Sequence, residues 1–156
     1  MTGGDLRSVM RLFPSGVCVV TADADGDRIG VTIGSLVSLS LEPPLVGIAV
    51  GKANALHEVL RAAGAFAVSL LRGDQADIAA RFALGMPPAL LWDGLDLRNG
   101  TTGAPLIAGA LGWIECRLDA EHEVGDHTLF VGEVVTAEEG KPGTGLVYRE
   151  HGYHAV

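Results

Sequence analysis

Apolar and polar positions change period repeatedly along this chain, and each change marks an element. Leu6, Val9, Met10 and Phe13 share one helical face, so the spacing predicts a helix from Asp5 to Phe13, stopped by Pro14-Ser15-Gly16. Val17 to Ala22 reads as a strand and Asp23-Ala24-Asp25-Gly26-Asp27 as a hairpin turn. Arg28 to Ser35, Leu36 to Leu41 and Leu45 to Val50 are three more strands. Glu42-Pro43-Pro44 parts the last two, because proline has no N–H to give a central ladder. Asn54 caps a helix over Ala55 to Ala63 and Gly64 ends it. Ala65 to Leu71 returns to strand, and Asp74 to Phe82 to helix. From Ala83 to Pro105 the periodicity dissolves into a Gly-, Pro- and Asn-rich segment, and so long a loop in a small domain is usually a lid or a partner contact. Leu111 to Glu121 and Leu129 to Ala137 flank the turn Val124-Gly125-Asp126-His127, and short strands near Leu146 to Arg149 and Tyr153 finish the chain. Many strands, few short helices and no β-α-β-α rhythm predict a mainly β protein: a closed antiparallel barrel with a few short flanking helices.

Composition narrows the partners. The 156 residues suit a single domain, residues 1–156, and 48% hydrophobic against 19% charged is no profile of disorder. So apolar a small chain also points to a surface covered by a second subunit. The net charge is −8 (11 basic, 19 acidic), with only Lys52 and Lys141 as lysines. No basic stripe exists, so neither nucleic acid nor an anionic membrane is expected as partner. Polar residues break the longest apolar stretch, Ile33 to Val50, so it does not span a bilayer. The N-terminus has no secretory pattern, and Cys18 and Cys116 read as buried reduced thiols; together these give a cytoplasmic expectation.

Three places offer chemistry. Gly30 to Ser40 carries Thr32, Ser35, Ser38 and Ser40 beside Gly34, and Ser38 and Ser40, two apart, project from one face of a strand. Small hydroxyl side chains and glycine suit close approach of a flat hydrogen-bonding ring, although a polar strand face satisfied by backbone has the same pattern. Gly51-Lys52-Ala53-Asn54 opens a helix, where unpaired N–H groups favour phosphate; a solvated loop lysine beside a capping asparagine is the plain alternative. Gly125-Asp126-His127 is ordinary turn chemistry, with or without a histidine at a pocket rim. His122, His127, His151 and His154 lack metal-ligand spacing, so no metal is expected.

Taken in order, these segments resemble the flavin reductase-like family, the FMN-binding split barrels that serve as small reductase components of two-component flavin-dependent monooxygenases. The resemblance runs through Phe13-Pro14-Ser15-Gly16-Val17, Val19-Val20-Thr21, and Gly30-x-Thr32-x-x-Ser35-x-x-Ser38-x-Ser40. It continues in Pro43-Pro44-Leu45-Val46, Phe66-Ala67-Val68 and Arg81-Phe82-Ala83. Gly125-Asp126-His127-Thr128-x-Phe130-x-Gly132-Glu133-Val134, Tyr148 and Gly152-Tyr153 complete it.

The resemblance implies a closed antiparallel split β-barrel that binds FMN or FAD, with NADH or NADPH as co-substrate. It implies a homodimer that passes reduced flavin to a separate monooxygenase. Thr32, Ile33, Gly34, Ser35, Ser38 and Ser40 would border the isoalloxazine ring, with Lys52, Ala53, Asn54 and Ala55 near the phosphate and Arg81 and Phe82 close by. His127 and Tyr148 would receive the nicotinamide. No side chain need act as acid or base, since the cofactors carry the hydride chemistry. Ala53 and Ala55 stand where the family often has Ser or Thr, and each missing hydroxyl bond to phosphate removes about 1.5–3 kcal/mol; flavin is therefore expected to bind moderately and to exchange as a substrate. Two other readings share the barrel. An electron-transfer or sensory module would bind flavin without reacting with nicotinamide, and an interaction module would bind none.

Overall fold

The computed structural model describes residues 1–156. Helix α1 (Gly3–Met10) leads through β1 (Ser15–Gly16) to the hairpin β2 (Cys18–Ala24) and β3 (Asp27–Ile33). Asp25 and Gly26 turn it with φ of 52° and 91°, two positive values in succession, as a type I′ turn requires. Strands β4 (Val37–Leu41) and β5 (Pro44–Gly51) precede α2 (Ala55–Ala63). That helix has the sequence-predicted bounds because both ends are chemically fixed. The Asn54 side chain accepts from the Leu56 N–H, and Gly64 takes φ 65° to stop it. Strand β6 (Ala65–Leu70), α3 (Ala76–Ala83) and the short α4 (Pro88–Leu91) follow. The segment expected to be irregular also contains β7 (Leu97–Asn99), which pairs with β8 (Pro105–Ile107). The long hairpin β9 (Gly112–Val124) and β10 (His127–Glu139), then β11 (Leu146–Arg149) and β12 (Gly152–Ala155), complete the chain.

Seven strands form one antiparallel sheet in the order β3-β2-β6-β9-β10-β5-β4. Its two outer strands are consecutive in sequence. Only Gly34, Ser35 and Leu36 join Ile33 to Val37, so those ends lie no more than about 14 Å apart and the sheet must curl. The ladder does not close, however: β3 and β4 each keep one unpaired edge, where sequence patterning predicted a closed barrel. Between them Ser35 substitutes for a strand residue. Its hydroxyl donates to the Ala49 carbonyl (3.0 Å) and accepts from the Ala49 N–H (3.1 Å).

Strand β2 is buried on both faces, which explains its near-continuous apolar run. Cys18, Val20 and Ala22 face the inside of the curl, where Leu56 and Leu60 of α2 meet Ile48, Phe66 and Phe130. Val19 faces outward, against Phe82, Leu91, Ile107 and Leu146. Both cysteines are free and buried, as expected, and burial pushes each thiol up to about 12. No helix is long and apolar enough to cross a membrane.

One buried carboxylate is expected to make the fold acid-sensitive. Glu115 on β9 is 3% exposed. Burial pushes its pKa up, but hydrogen bonds from the Thr102 N–H (3.0 Å) and the hydroxyls of Thr102 (2.9 Å) and Thr101 (3.2 Å) outweigh this and leave it lowered. A lowered folded-state value stabilises at pH above the ordinary 4.5 and is lost as pH falls through it. Glu115→Gln is expected to flatten the fall of unfolding free energy below about pH 4.5, followed by urea titrations at several pH values. An unchanged acid limb would place the sensitivity elsewhere.

Candidate functional site

Two adjoining clefts run along the free edge of β3. The smaller, about 260 Å³, is lined by Ser15, Thr32, Ile33, Gly34, Tyr148 and Tyr153 among others. The larger, about 680 Å³, lies between β3, the start of α2 and the segment after α3, and includes Thr32, Ala53, Asn54, Ala55 and Phe82. Thr32 and Ala83 border both, so they form one trough.

Local chemistry sets what each end can hold. At the start of α2, the N–H groups of Lys52, Asn54, Leu56 and His57 are bonded within the chain, to Asp126 O, Gly51 O, Asn54 Oδ1 and Asn54 O. The N–H groups of Ala53 and Ala55 have no such partner, and both residues line the trough at a positive helix end. At the other end Tyr148 and Tyr153 face each other at 5.2 Å. Burial, then Tyr148, raises Tyr153 above its ordinary 10, so the phenol stays a hydrogen-bond donor at neutral pH. Gly34 packs so closely on Ser15 that an added Cβ would stand 3.0 Å from the serine Cβ. A side chain there would shift the wall, and backbone alone faces the cleft.

Of the residues singled out by sequence, the trough gathers Thr32, Ile33, Gly34, Ala53, Asn54, Ala55, Phe82 and Tyr148. Their hydroxyls are less free than the sequence suggests. Thr32 Oγ1 donates to the Ala79 carbonyl (2.6 Å), leaving acceptor lone pairs, and Ser35 is spent on Ala49. Ser38 and Ser40 do not share a face. A register shift between them sets Ser38 opposite Val46 and Ser40 opposite Leu45, neighbours that point to opposite sides of β5. Arg81 turns away to the carbonyls of Leu91 and Asp93, bracing α3 against the end of α4. Phe82 is buried against Gly30, edge-on to Trp92 at 5.3 Å.

Lys52 and His127 lie beside the trough rather than in it. Lys52 Nζ pairs with Glu123 (3.2 Å), in a polar hollow where Arg61 pairs with Glu121 (3.1 Å). His127 Nδ1 bonds Asp126 (2.7 Å), and that bond holds the Asp126 carboxyl below its usual range. Sequence reasoning passed over His57, whose Nδ1 meets Glu58 (2.9 Å) and whose Nε2 meets the buried Thr128 hydroxyl (2.7 Å). This pair fastens the first turn of α2 to β10 beside His127. A lone histidine on an apolar helix gave no signal of that bond.

Known proteins share this chain's pattern. The family model described as flavin reductase like domain matches residues 10–156. The chain is 44% identical over 146 residues to an NADH-dependent FAD reductase of Streptomyces globisporus, covering 92% of this chain and 80% of the relative. It is 42% identical over 150 residues to the reductase component of 4-hydroxyphenylacetate 3-monooxygenase of Thermus thermophilus, covering 96% and 94%. The structure superposes with a TM-score of 0.92 on BorF, the flavin reductase component of a bacterial two-component tryptophan halogenase, at 36% identity over 99% of this chain and 98% of that one. With a match over nearly its whole length and a trough where the motifs meet, this chain belongs to the flavin reductase-like family.

Proposed function

We propose that the protein is an NAD(P)H-dependent flavin reductase that supplies reduced FMN or FAD to a separate monooxygenase. The observation that carries this reading is the trough itself, which joins a pair of tyrosines and a bare glycine backbone at one end to free helix N–H groups at the other. The residues fit a flavin: the Ala53 and Ala55 N–H groups offer donors to phosphate, and Thr32 to Gly34 offer a narrow backbone wall to a ring. Hydride transfer from nicotinamide to flavin is the cofactors' own chemistry. The chain binds and aligns them, with Tyr148 and Tyr153 over the ring end and the His57–Thr128 bond keeping α2 in register with β10. Without hydroxyls at Ala53 and Ala55, phosphate is held by backbone alone, which supports an exchangeable flavin.

We read the curled sheet as the split barrel of the family, its gap being the β3 edge where the flavin lies. The protein is a homodimer in this reading. On the outer face of β4, β5 and β10, Val37 and Leu39 are 42% and 46% exposed and close over Gly47 with Leu129, an apolar patch that a second copy would cover. Leu39→Glu is expected to convert the dimer to monomer in sedimentation velocity, and a dimer that survives it would remove this face from the interface. Two reduced buried cysteines suit a cytoplasmic setting.

A flavin carrier or sensor without nicotinamide turnover is the second reading, favoured by the position of His127 off the trough. Anaerobic mixing with NADH or NADPH and either flavin separates the two. The reductase bleaches the flavin band with matched loss of nicotinamide absorbance, while binding without bleaching under both nucleotides would overturn it. His127→Ala is expected to raise the KM for NADH and leave flavin binding unchanged.

A further inference from the structure

Beyond Ala120 the β9–β10 hairpin projects as an arm, with every residue from Glu121 to His127 exposed. The His127 ring is carried at its tip. Its Nδ1 is tied to the Asp126 carboxylate, and its Nε2 stands over Gly51, 3.9 Å from where an added Cβ would lie. An arm with so little buried contact frays unless it is held from outside its own ladder. The chain around the start of α2 supplies that hold. The Lys52 N–H donates to the Asp126 carbonyl (3.0 Å), Lys52 Nζ pairs with Glu123, and Arg61 pairs with Glu121. Both ion pairs are solvated and therefore weak. The His57–Thr128 bond is different, because His57 is 7% exposed and Thr128 4%.

The direction of that bond follows from its neighbours. Glu58 is a carboxylate, held below its usual range chiefly by the bond to His57, and it can only accept. In the neutral ring His57 Nδ1 therefore carries the hydrogen, and Nε2 accepts from the Thr128 hydroxyl. Thr128 shares the inner face of β10 with Phe130, whereas His127, one residue earlier, points outward. Locking the inner side chain fixes the backbone of its neighbour, and with it the outer ring. Helix α2 can act as the fixed end because Leu56 and Leu60 are fully buried in the core.

We propose that His57 is a positioning residue for nicotinamide binding, holding His127 through Thr128 at a set place relative to the start of α2. This rests on the reading of His127 as a nicotinamide contact and adds what keeps its ring in place. His57 touches neither nucleotide. Its loss frees the hairpin tip rather than the helix, whose N-terminal end keeps the Ala53 and Ala55 N–H groups. Nicotinamide affinity then falls while flavin affinity stays.

Titration calorimetry tests this with FMN on the free protein and with NAD+ on the oxidised, FMN-loaded protein, where no hydride can pass. His57→Leu is expected to weaken NAD+ about tenfold and to move FMN less than about twofold. In turnover it should raise the KM for NADH by a similar factor and change kcat less than about twofold. His57→Gln offers Thr128 a carbonyl acceptor and should bring NAD+ binding back to within about threefold of wild type. Thr128→Val, which removes the hydroxyl at constant shape, should reproduce the leucine loss and keeps the test open if that variant folds poorly. In the His127→Ala background, His57→Leu should add less than about twofold, because no ring is left to place. Equal weakening of FMN and NAD+, or no rescue by glutamine, would make the bond a general prop of the fold and overturn the proposal. Unmoved NAD+ binding with a lowered melting temperature would do the same, as would a full additive loss in the His127→Ala background. In each of these cases a loss of NAD+ binding by His127→Ala alone leaves the nicotinamide reading standing. If His127→Ala itself leaves NAD+ binding untouched, that reading falls and the positioning role falls with it.

Discussion

Replacing Ala55 by aspartate is expected to weaken FMN binding about a hundredfold while leaving the fold slightly more stable. The two effects have opposite signs because they act on different partners of the same helix end. A carboxylate in the first turn interacts favourably with the α2 N-terminus, worth about 0.3–1 kcal/mol, and Ala55 is exposed, so the side chain has room. A phosphate at the Ala53 and Ala55 N–H groups would meet that same charge. Two unit charges 4 Å apart near a protein surface repel by about 4 kcal/mol. Solvent screening leaves roughly half to two-thirds, and about 2.7 kcal/mol is a factor of a hundred. Ala55→Ser should act in the opposite sense, strengthening FMN about tenfold by adding one hydroxyl bond. Titration calorimetry and thermal melts on the three proteins separate affinity from stability. Undiminished FMN binding by Ala55→Asp would mean that phosphate does not use this helix.

The second large effect lies in the core, where Phe66 and Gly132 are fitted to each other. Phe66 is fully buried in the curl of the sheet. Its truncation to alanine is expected to cost about 3–5 kcal/mol, a transfer term plus the cavity left behind. Gly132 on β10 faces it so closely that an added Cβ would stand 2.6 Å from Phe66 Cζ and 2.6 Å from Cys116 Cβ. Gly132→Ala alone should therefore cost about 1–3 kcal/mol by overpacking. In the Phe66→Ala background the methyl group finds part of its space vacated, and its cost should fall by at least half. A urea-unfolding double-mutant cycle measures that coupling. Strict additivity of the two losses would show that the close approach carries no strain.

How far the sequence foretold this molecule depends on whether a feature is local or relational. Helix α2 was legible to the residue because Asn54 and Gly64 act on their immediate neighbours, and the Asp25-Gly26 turn likewise announces itself. Helix α1 begins earlier than its apolar spacing suggests, since Thr2 and Asp5 form a reciprocal cap that hydrophobic periodicity does not weigh. Strands β7 and β8, three residues each, are defined by pairing with one another and have no room for a pattern. In the candidate site, Thr32, Gly34, Asn54 and Tyr148 were found through motifs and do line the trough. The destinations of side chains were not. Lys52 has a carboxylate within reach across β9, and Arg81 finds the carbonyls of Leu91 and Asp93. Ser38 and Ser40 are separated by a register shift that depends on β5 rather than on β4. Each outcome turns on a partner distant in sequence, about which spacing along one strand says nothing.

The unpaired edge of β3 also bears on how the protein behaves when its ligand is scarce. A row of outward N–H and C=O groups is a template for any passing strand, and natural sheets guard such rows with charges, short length or cover. Here Asp27 and Arg28 guard the turn end, and α3 with its following segment overhangs the middle. The remaining stretch toward Ile33 borders the trough, where α3 reaches it through the bond from the Thr32 hydroxyl to the Ala79 carbonyl. In the flavin reading a bound ligand would add to that cover, and the empty fraction of a preparation is expected to be the part most exposed to edge-to-edge association. Colloidal stability during storage should accordingly follow saturation of the trough rather than the intrinsic melting temperature of the fold.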